Sequence, residues 1–353
     1  MPGSDPQLLD AARKILCSVA ELQVRRGGDD RARRVAAWRA LEDGGLGRAW
    51  IAESAGGAGA SVVDGFAILT LAGEVALDAP LAETLLAGWL LAAAGLAVPE
   101  GALAPVGAQA GIALGGDGRL RGRAQAVAFA RDADQLAVIG SRDGGGGGFV
   151  ALVARAACTV EPRDNLAGEP RDAVVLDGAV PSALASAGAE LGDRLRAMGA
   201  VARACQMAGA LQAILARSVQ HAGERVAFDR PIGKFQAIQH ALARLAGEAA
   251  AALAASSSAA DALADPGIDA DGALLEVASA KIRVGEAAAA GAAIAHQVHG
   301  AIGFSTEHAL HRFTRRLWAW RDDYGSESAW AVELGARVAR WGGDGLWPVV
   351  AGR

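Results

Sequence analysis

The stretch that decides the fold runs from Arg225 to Gln236 and reads Arg225-Val-Ala-Phe228-Asp-Arg-Pro231-Ile-Gly-Lys-Phe235-Gln236. A second stretch runs from Gln297 to Glu307 and reads Gln297-Val-His-Gly300-Ala301-Ile-Gly303-Phe304-Ser-Thr-Glu307. Each lies where a long apolar helix is predicted to begin or end. Arginine, amide and glycine residues gather in both stretches, and almost nothing else in the sequence points at chemistry.

The composition restricts the class of protein. The chain has 353 residues, is 52% hydrophobic and carries a net charge of -5. That charge argues against nucleic acid as the main partner. No apolar run reaches the roughly 20 residues that a membrane span needs. The cysteines Cys17, Cys158 and Cys205 are scattered, which favours reduced, buried thiols in a cytoplasmic protein.

The first half of the chain changes character near residue 105. Residues 1–104 show helical spacing of apolar positions, including a run at 7–24 and another at 62–76. Residues 105–184 carry short β-prone runs separated by turn residues. These runs are Ile112–Leu114, Ala124–Phe129, Gln135–Ile139, Phe149–Val153 and Ala173–Leu176. The glycine run at 144–148 is predicted to be a hairpin loop.

The second half, residues 185–353, is helical again. Helices are predicted over Ala189–Gly223, Phe235–Ala264, Ala270–His299 and Thr306–Trp320. Long helices that are apolar on several faces pack together as a bundle. The chain is therefore predicted to be mainly α: an N-terminal helical domain (1–104), a small middle β-domain or barrel (105–184) and a C-terminal four-helix bundle (185–353).

This order, together with the two stretches quoted above, resembles the acyl-CoA dehydrogenase family of flavoproteins. The resemblance implies that Arg225, Phe228 and Gln236 contact FAD, and that Gln297, Gly300, Ala301 and Ser326 lie beside it. Arginine suits a pyrophosphate, and glycine lets backbone approach a phosphate closely. Because members share FAD between subunits, the resemblance implies a homodimer or tetramer, or a heterotetramer with a paralogous subunit.

The activity implied by the resemblance is the α,β-dehydrogenation of an acyl-CoA thioester in fatty acid or lipid catabolism. An electron-transfer flavoprotein or a similar acceptor would take the electrons. The reaction needs a carboxylate within reach of the substrate's α-proton. The family's usual glutamate aligns with Tyr324, and its alternative position, on the earlier long helix, aligns with Gly199. The chain therefore resembles a divergent member of the family that lacks the usual catalytic glutamate.

Three hypotheses follow from that departure. In the first, a neighbouring acid acts as base; a shift of one residue brings Asp323 to the position of Tyr324, and the nitroalkane oxidases use aspartate there. In the second, the chain is the non-catalytic subunit of a heteromeric acyl-CoA dehydrogenase and completes the FAD site of its partner. In the third, it is a flavin-free binding or scaffold protein on the same fold.

Two further clusters are weaker. His296, His299, His308 and His311 lie close in sequence, but they match no zinc motif, so no metal is predicted. Tryptophans concentrate in the last third of the chain, which predicts a buried tail or a subunit interface. They are Trp318, Trp320, Trp330, Trp341 and Trp347.

Overall fold

The computed structural model describes residues 3–24, 29–188 and 190–351. In these residues the order is N-terminal helices, a β-sheet and a C-terminal helical bundle, as the sequence predicts. By contacts, the chain divides into two compact units. One comprises Thr70–Ala76 and the chain from Ala200 onward; the other comprises the chain up to Leu69 together with Leu77–Gly199. The domain boundaries proposed from the sequence stay predictions.

Among residues 3–24 and 29–102, four α-helices precede the sheet. They are α1 (Pro6–Val24), α2 (Asp30–Asp43), α3 (Val62–Glu74) and α4 (Leu81–Ala93). Helix α4 is buried along most of its length because it packs against the first strand of the sheet. Thr84 on α4 fixes this contact, since its hydroxyl donates to the carbonyl of Leu103 (3.2 Å) and accepts from the Leu103 amide (3.0 Å).

The described residues form an eight-stranded sheet in the order β6-β7-β3-β2-β4-β5-β8, with β1 beside β4. The strands are β1 (Leu103–Val106), β2 (Ala113–Leu114), β3 (Leu120–Ala128), β4 (Gln135–Arg142), β5 (Gly148–Ala154), β6 (Thr159–Glu161), β7 (Arg171–Ala179) and β8 (Ala183–Ala187). Strands β4 and β5 pair antiparallel, from Gln135 opposite Ala154 to Ser141 opposite Gly148. The glycine run between them is the hairpin loop that the sequence predicts.

The second half contains five helices among the described residues. They are α5 (Glu190–Glu224), α6 (Gln236–Ala264), α7 (Ala270–His299), α8 (Leu310–Trp320) and α9 (Glu327–Ala351). Alanine-rich faces of α5, α6 and α7 form one core with Leu310, Phe313 and Leu317 of α8. Small side chains let these helices approach closely, which accounts for the alanine content of this half.

Several predictions at this level need correction. Helix α8 begins at Leu310 rather than at Thr306, because residues 306–309 form turns before it. Strand β3 ends at Ala128, one residue before the predicted end at Phe129, whose φ is 53°. Cys17 is exposed, so the prediction of three buried thiols holds for Cys205 but not for Cys17. The predicted start of α5, Ala189, lies outside the described residues.

Within the described residues, no helix combines the length and the apolar character that crossing a membrane requires.

Candidate functional site

The stretch from Arg225 to Gln236 forms a short hairpin between α5 and α6. Strands β9 (Val226–Ala227) and β10 (Arg230–Pro231) pair antiparallel. The two residues at the tip, Phe228 and Asp229, have φ values of 52° and 60°. This is the backbone of a two-residue hairpin turn with positive φ, where asparagine and glycine are the usual residues. Phe228 is therefore held in a costly conformation, and it is 89% exposed.

Aromatic and backbone contacts fasten the hairpin to the start of α6. The rings of Phe228 and Phe235 meet edge to face with centroids 6.1 Å apart. The guanidinium of Arg230 lies 4.1 Å from the centre of the Phe235 ring. The amide of Ile232 donates to the carbonyl of Arg225 at 2.8 Å. These contacts fix the conformation of the hairpin, and the exposed Arg225 and Gln236 lie at its two ends.

The stretch from Gln297 to Glu307 begins at the last turn of α7. Gly300 ends that helix with φ 66° and ψ -147°, and its amide donates to the carbonyl of His296. Glycine is the residue suited to this backbone conformation. A 3-10 helix follows over Gly300–Phe304. The three residues predicted beside FAD in this stretch, Gln297, Gly300 and Ala301, are all exposed.

Three imidazoles bring the two stretches together. His221, one turn before Arg225, stacks on His299 with centroids 4.5 Å apart. His308 lies 4.7 Å from His299 and 6.3 Å from His221. The end of α5 and the end of α7 therefore lie side by side. His221 was not identified from the sequence, and the only signal that could have found it is its position one helical turn before Arg225.

The protonation state of His299 follows from its surroundings. The ring is 5% exposed, and its Nδ1 donates to the carbonyl of Ala295 at 2.7 Å. Burial lowers the pKa of His299 to about 4. Burial also lowers the pKa values of His221 and His308, and Arg225 adds to the effect at His221. The stack therefore consists of neutral rings at neutral pH.

His296 belongs to a different cluster. Its ring stacks on Phe304 with centroids 4.3 Å apart and on Trp318 at 5.8 Å, and its Nε2 lies 3.0 Å from the hydroxyl of Thr314. Among the described residues, no group of three His, Cys, Asp or Glu side chains is arranged to hold a metal ion.

The loop between α8 and α9 carries Tyr324, the residue predicted from the sequence to align with the family base. Tyr324 has a φ of 57° and is half-buried. Asp323 is 5% exposed, and its Oδ2 accepts from Nε of Arg203 at 2.8 Å. Ser326 precedes α9, and its hydroxyl accepts from the amide of Ala329 at 3.3 Å. The structure thus places the carboxylate of Asp323 in a buried ion pair with α5.

The other two acids of this loop differ from Asp323. Asp322 is exposed. Glu327 is half-buried, accepts from Nε of Arg321 at 2.5 Å and lies against Gly285 of α7. The alternative base position, Gly199, lies on α5 and carries no side chain. Of these positions, only Asp322 holds an exposed carboxylate.

Three polar side chains of the two stretches are available to a ligand. Arg225, Gln236 and Gln297 are exposed, and none makes a side-chain hydrogen bond to the residues within 3–24, 29–188 and 190–351. A bound phosphate, ribose or base would supply acceptors and donors for them.

Known proteins resemble this chain in sequence and in fold. Residues 194–321 match the model for "Acyl-CoA dehydrogenase, C-terminal domain". Acyl-CoA dehydrogenase FadE34 of Mycobacterium tuberculosis is 30% identical over 312 residues, covering 83% of this chain. This chain spans only 41% of the length of that relative. Acyl-CoA dehydrogenase IpdE2 of the same organism is 28% identical over 295 residues, covering 81% of each chain.

The fold has close counterparts among solved structures. A chain of the ChsE4-ChsE5 complex from Mycobacterium tuberculosis superposes with a TM-score of 0.82 at 24% identity, covering 96% of this chain and 98% of that one. This likeness shows the fold, and the family-model match together with the relatives in sequence leads to the conclusion: the chain belongs to the acyl-CoA dehydrogenase family.

Proposed function

We propose that this chain serves the α,β-dehydrogenation of an acyl-CoA thioester as the subunit that helps to hold FAD, while a paralogous partner supplies the base. The observation that carries this proposal is the state of Asp323. Its carboxylate, the nearest to the position of Tyr324, is buried and paired with Arg203 at 2.8 Å. The chain retains the flavin-side residues and has no accessible carboxylate at either base position.

The flavin-side residues fit FAD by their chemistry. Arg225 offers a fork of donors to the pyrophosphate. Gln236 and Gln297 can each donate to and accept from the adenosine, and the backbone at Gly300 and Ala301 is exposed for close approach. The exposed ring of Phe228 is an apolar surface that a flavin or a second subunit would cover. When bound, FAD supplies the acceptor for the hydride that leaves the β-carbon of the substrate.

The buried ion pair makes Asp323 a poor base. A general base has to lie within hydrogen-bond reach of the proton that it removes. If Asp323 took up a proton, its buried ion pair with the guanidinium of Arg203 would be lost, which is unfavourable. Gln206 also accepts a hydrogen bond from Arg203, at 2.6 Å, which holds the guanidinium in place.

The second candidate is a self-sufficient dehydrogenase in which Asp323 is the base. Its support is position: Asp323 directly precedes Tyr324, which aligns with the family glutamate. This candidate requires the loop to rearrange so that Asp323 leaves Arg203 and faces the substrate.

A chain of the ChsE4-ChsE5 complex has this fold, which provides an example of such a chain in an assembly with a differently named protein. By analogy, we propose a heterotetramer of this chain with a paralogous subunit, an acyl-CoA substrate and an electron-transfer flavoprotein or similar acceptor. A cytoplasmic location and a role in lipid catabolism belong to the same proposal.

Flavin content distinguishes the candidates. The chain is purified alone and after co-expression with a paralogue that carries the family's Glu-Gly-Thr sequence, and the visible spectrum is recorded for each. We expect flavin absorbance in the co-expressed complex and little in the chain alone, even after FAD is added. Full flavin content and reduction by acyl-CoA in the chain alone would overturn the heteromeric proposal. No flavin in either preparation would favour the scaffold.

A matched pair of variants tests the base. Asp323→Asn and Asp322→Asn each remove one charge from the same loop. In the heteromeric proposal, neither abolishes the reduction of FAD by acyl-CoA in the complex, because the base comes from the partner. Loss of reduction in Asp323→Asn alone, with flavin content unchanged, would support the self-sufficient candidate.

A further inference from the structure

The loop that carries Tyr324 is held in a costly conformation. Tyr324 has a φ of 57°. This lies in the left-handed region, which residues other than glycine, asparagine and aspartate rarely adopt. Such a conformation persists only when the surrounding structure determines it, and it occurs preferentially at functional sites. The structure shows what determines it here.

Lys281 of α7 holds the backbone before Tyr324. Its side chain is 1% exposed, and its Nζ donates to the carbonyls of Arg321 and Asp323, each at 2.9 Å. These carbonyls follow the end of α8, where carbonyls lack partners within the helix. The lysine therefore fixes two points of the loop, one and three residues before Tyr324.

Two further side chains act on the same short segment. Arg203 of α5 donates to the carboxylate of Asp323 at 2.8 Å and lies over the ring of Trp320, 5.6 Å from its centre. Trp330 of α9 donates from Nε1 to the carbonyl of Tyr324 at 3.1 Å. Three helices thus each contribute one donor side chain to residues 321–324.

Stability alone does not account for these buried cations. Replacing a buried charged group by an apolar one of similar volume is often neutral or stabilising. Burial lowers the pKa of Lys281 to about 7. The charges of Arg203 and Arg321 also lower this pKa, whereas those of Glu327 and Asp322 raise it. A neutral amine still has two N–H bonds, one for each of the two carbonyls. The lysine therefore retains its geometric role in either protonation state.

We propose that Lys281, Arg203 and Trp330 are positioning residues that fix Tyr324 in one backbone conformation at the position where the family carries its base. The role of this residue beside the flavin rests on the function proposed above. In that setting these three side chains, called the clamp below, hold the loop in one conformation with a tyrosine in place of a carboxylate. The clamp itself is a property of the isolated chain and can be tested there.

The test measures hydrogen–deuterium exchange of the chain without FAD. Lys281→Met removes both lysine hydrogen bonds, and Trp330→Phe removes only the indole donor and keeps an aromatic ring. Lys14→Met, at an exposed position of α1, is the matched control. We expect exchange in the peptide covering residues 321–326 to accelerate about tenfold or more in both test variants, with peptides from the middle of α7 unchanged.

The outcomes separate the clamp from general stability. Acceleration throughout α5 and α7 would show that the lysine supports the bundle and would overturn a positioning role. Unchanged exchange at residues 321–326 in both test variants would overturn it as well. Trp330→Phe gives an answer even if Lys281→Met does not fold.

A second measurement links the clamp to FAD. The Kd for FAD of the co-expressed complex is compared between Lys281→Met and Lys14→Met. We expect at least about a tenfold weaker affinity in Lys281→Met, the change that follows from a loss of one ordered hydrogen-bonded loop. Faster exchange at residues 321–326 with an unchanged Kd for FAD would support the clamp but overturn its role in FAD binding. Absence of flavin from every preparation would count against the proposed function and not against the clamp.

Discussion

At the scale of single residues, His299 couples the stability of the protein to pH. Its pKa lies near 4 in the folded chain and near 6.5 otherwise. Between these values the unfolded chain binds a proton that the folded chain does not, so the free energy of unfolding rises with pH across this window. The slope approaches about 1.4 kcal/mol per pH unit, and the lowered pKa values of His221 and His308 act in the same direction.

The prediction is that unfolding by urea gives a lower stability at pH 5 than at pH 7. In His299→Gln the difference between the two pH values should shrink by about 1 kcal/mol or more. His240→Gln, at an exposed position on α6, is the control. An equal pH dependence in His299→Gln and the unmodified chain would contradict a neutral, buried His299.

At the scale of secondary structure, the contact between α3 and α5 depends on two glycines. A Cβ at Gly73 would lie 2.0 Å from the carbonyl oxygen of Gln206, and one at Gly209 would lie 1.9 Å from that of Thr70. Both obstacles are backbone atoms, so the helices would have to separate to admit a methyl group. Glycine at these two positions therefore allows α3 and α5 to approach more closely than any other residue would permit.

Gly209→Ala is therefore expected to lower the free energy of unfolding by about 3 kcal/mol, the upper part of the usual range for overpacking. Gly247→Ala on α6 is the matched control, because nothing lies within 4 Å of its added Cβ. There alanine should stabilise the helix by about 0.5–1 kcal/mol. Shifts of the urea midpoint in opposite directions, relative to the unmodified chain, would support the packing account. Equal midpoints in the two variants would contradict it.

The helices and strands differ in how far they can be predicted from the sequence. The bounds of α7 were predictable because Asp269 caps its first turn and Gly300 ends its last. Strands β1 and β8 were not, because they are short and pair with β4 and β5, which are not their neighbours in sequence. Strand β6 pairs with its neighbour β7 but has only three residues. The stack of His221, His299 and His308 was missed because it joins helix ends that are far apart in sequence. The Arg203–Asp323 pair spans 120 positions and had no local pattern.

At the scale of the whole molecule, the proposed function requires the exposed hairpin at Arg225 and the exposed turn at Gln297 to meet FAD or a second chain. We predict that Arg225→Lys weakens FAD binding by the co-expressed complex about tenfold to a hundredfold, because lysine loses the forked geometry. Arg244→Lys, at an exposed position on α6, should leave the Kd for FAD unchanged. Equal affinities in the two variants would remove Arg225 from the FAD site.

The burial of Lys281 has a consequence for chemical labelling. The sequence contains three lysines, Lys14, Lys234 and Lys281. Lys281 is 1% exposed, whereas Lys14 and Lys234 are exposed. An amine-reactive dye or cross-linker applied to the native chain will therefore attach to side chains at those two positions. Because Lys234 lies within the Arg225–Gln236 hairpin, such reagents report directly on whether FAD or a second subunit covers that surface.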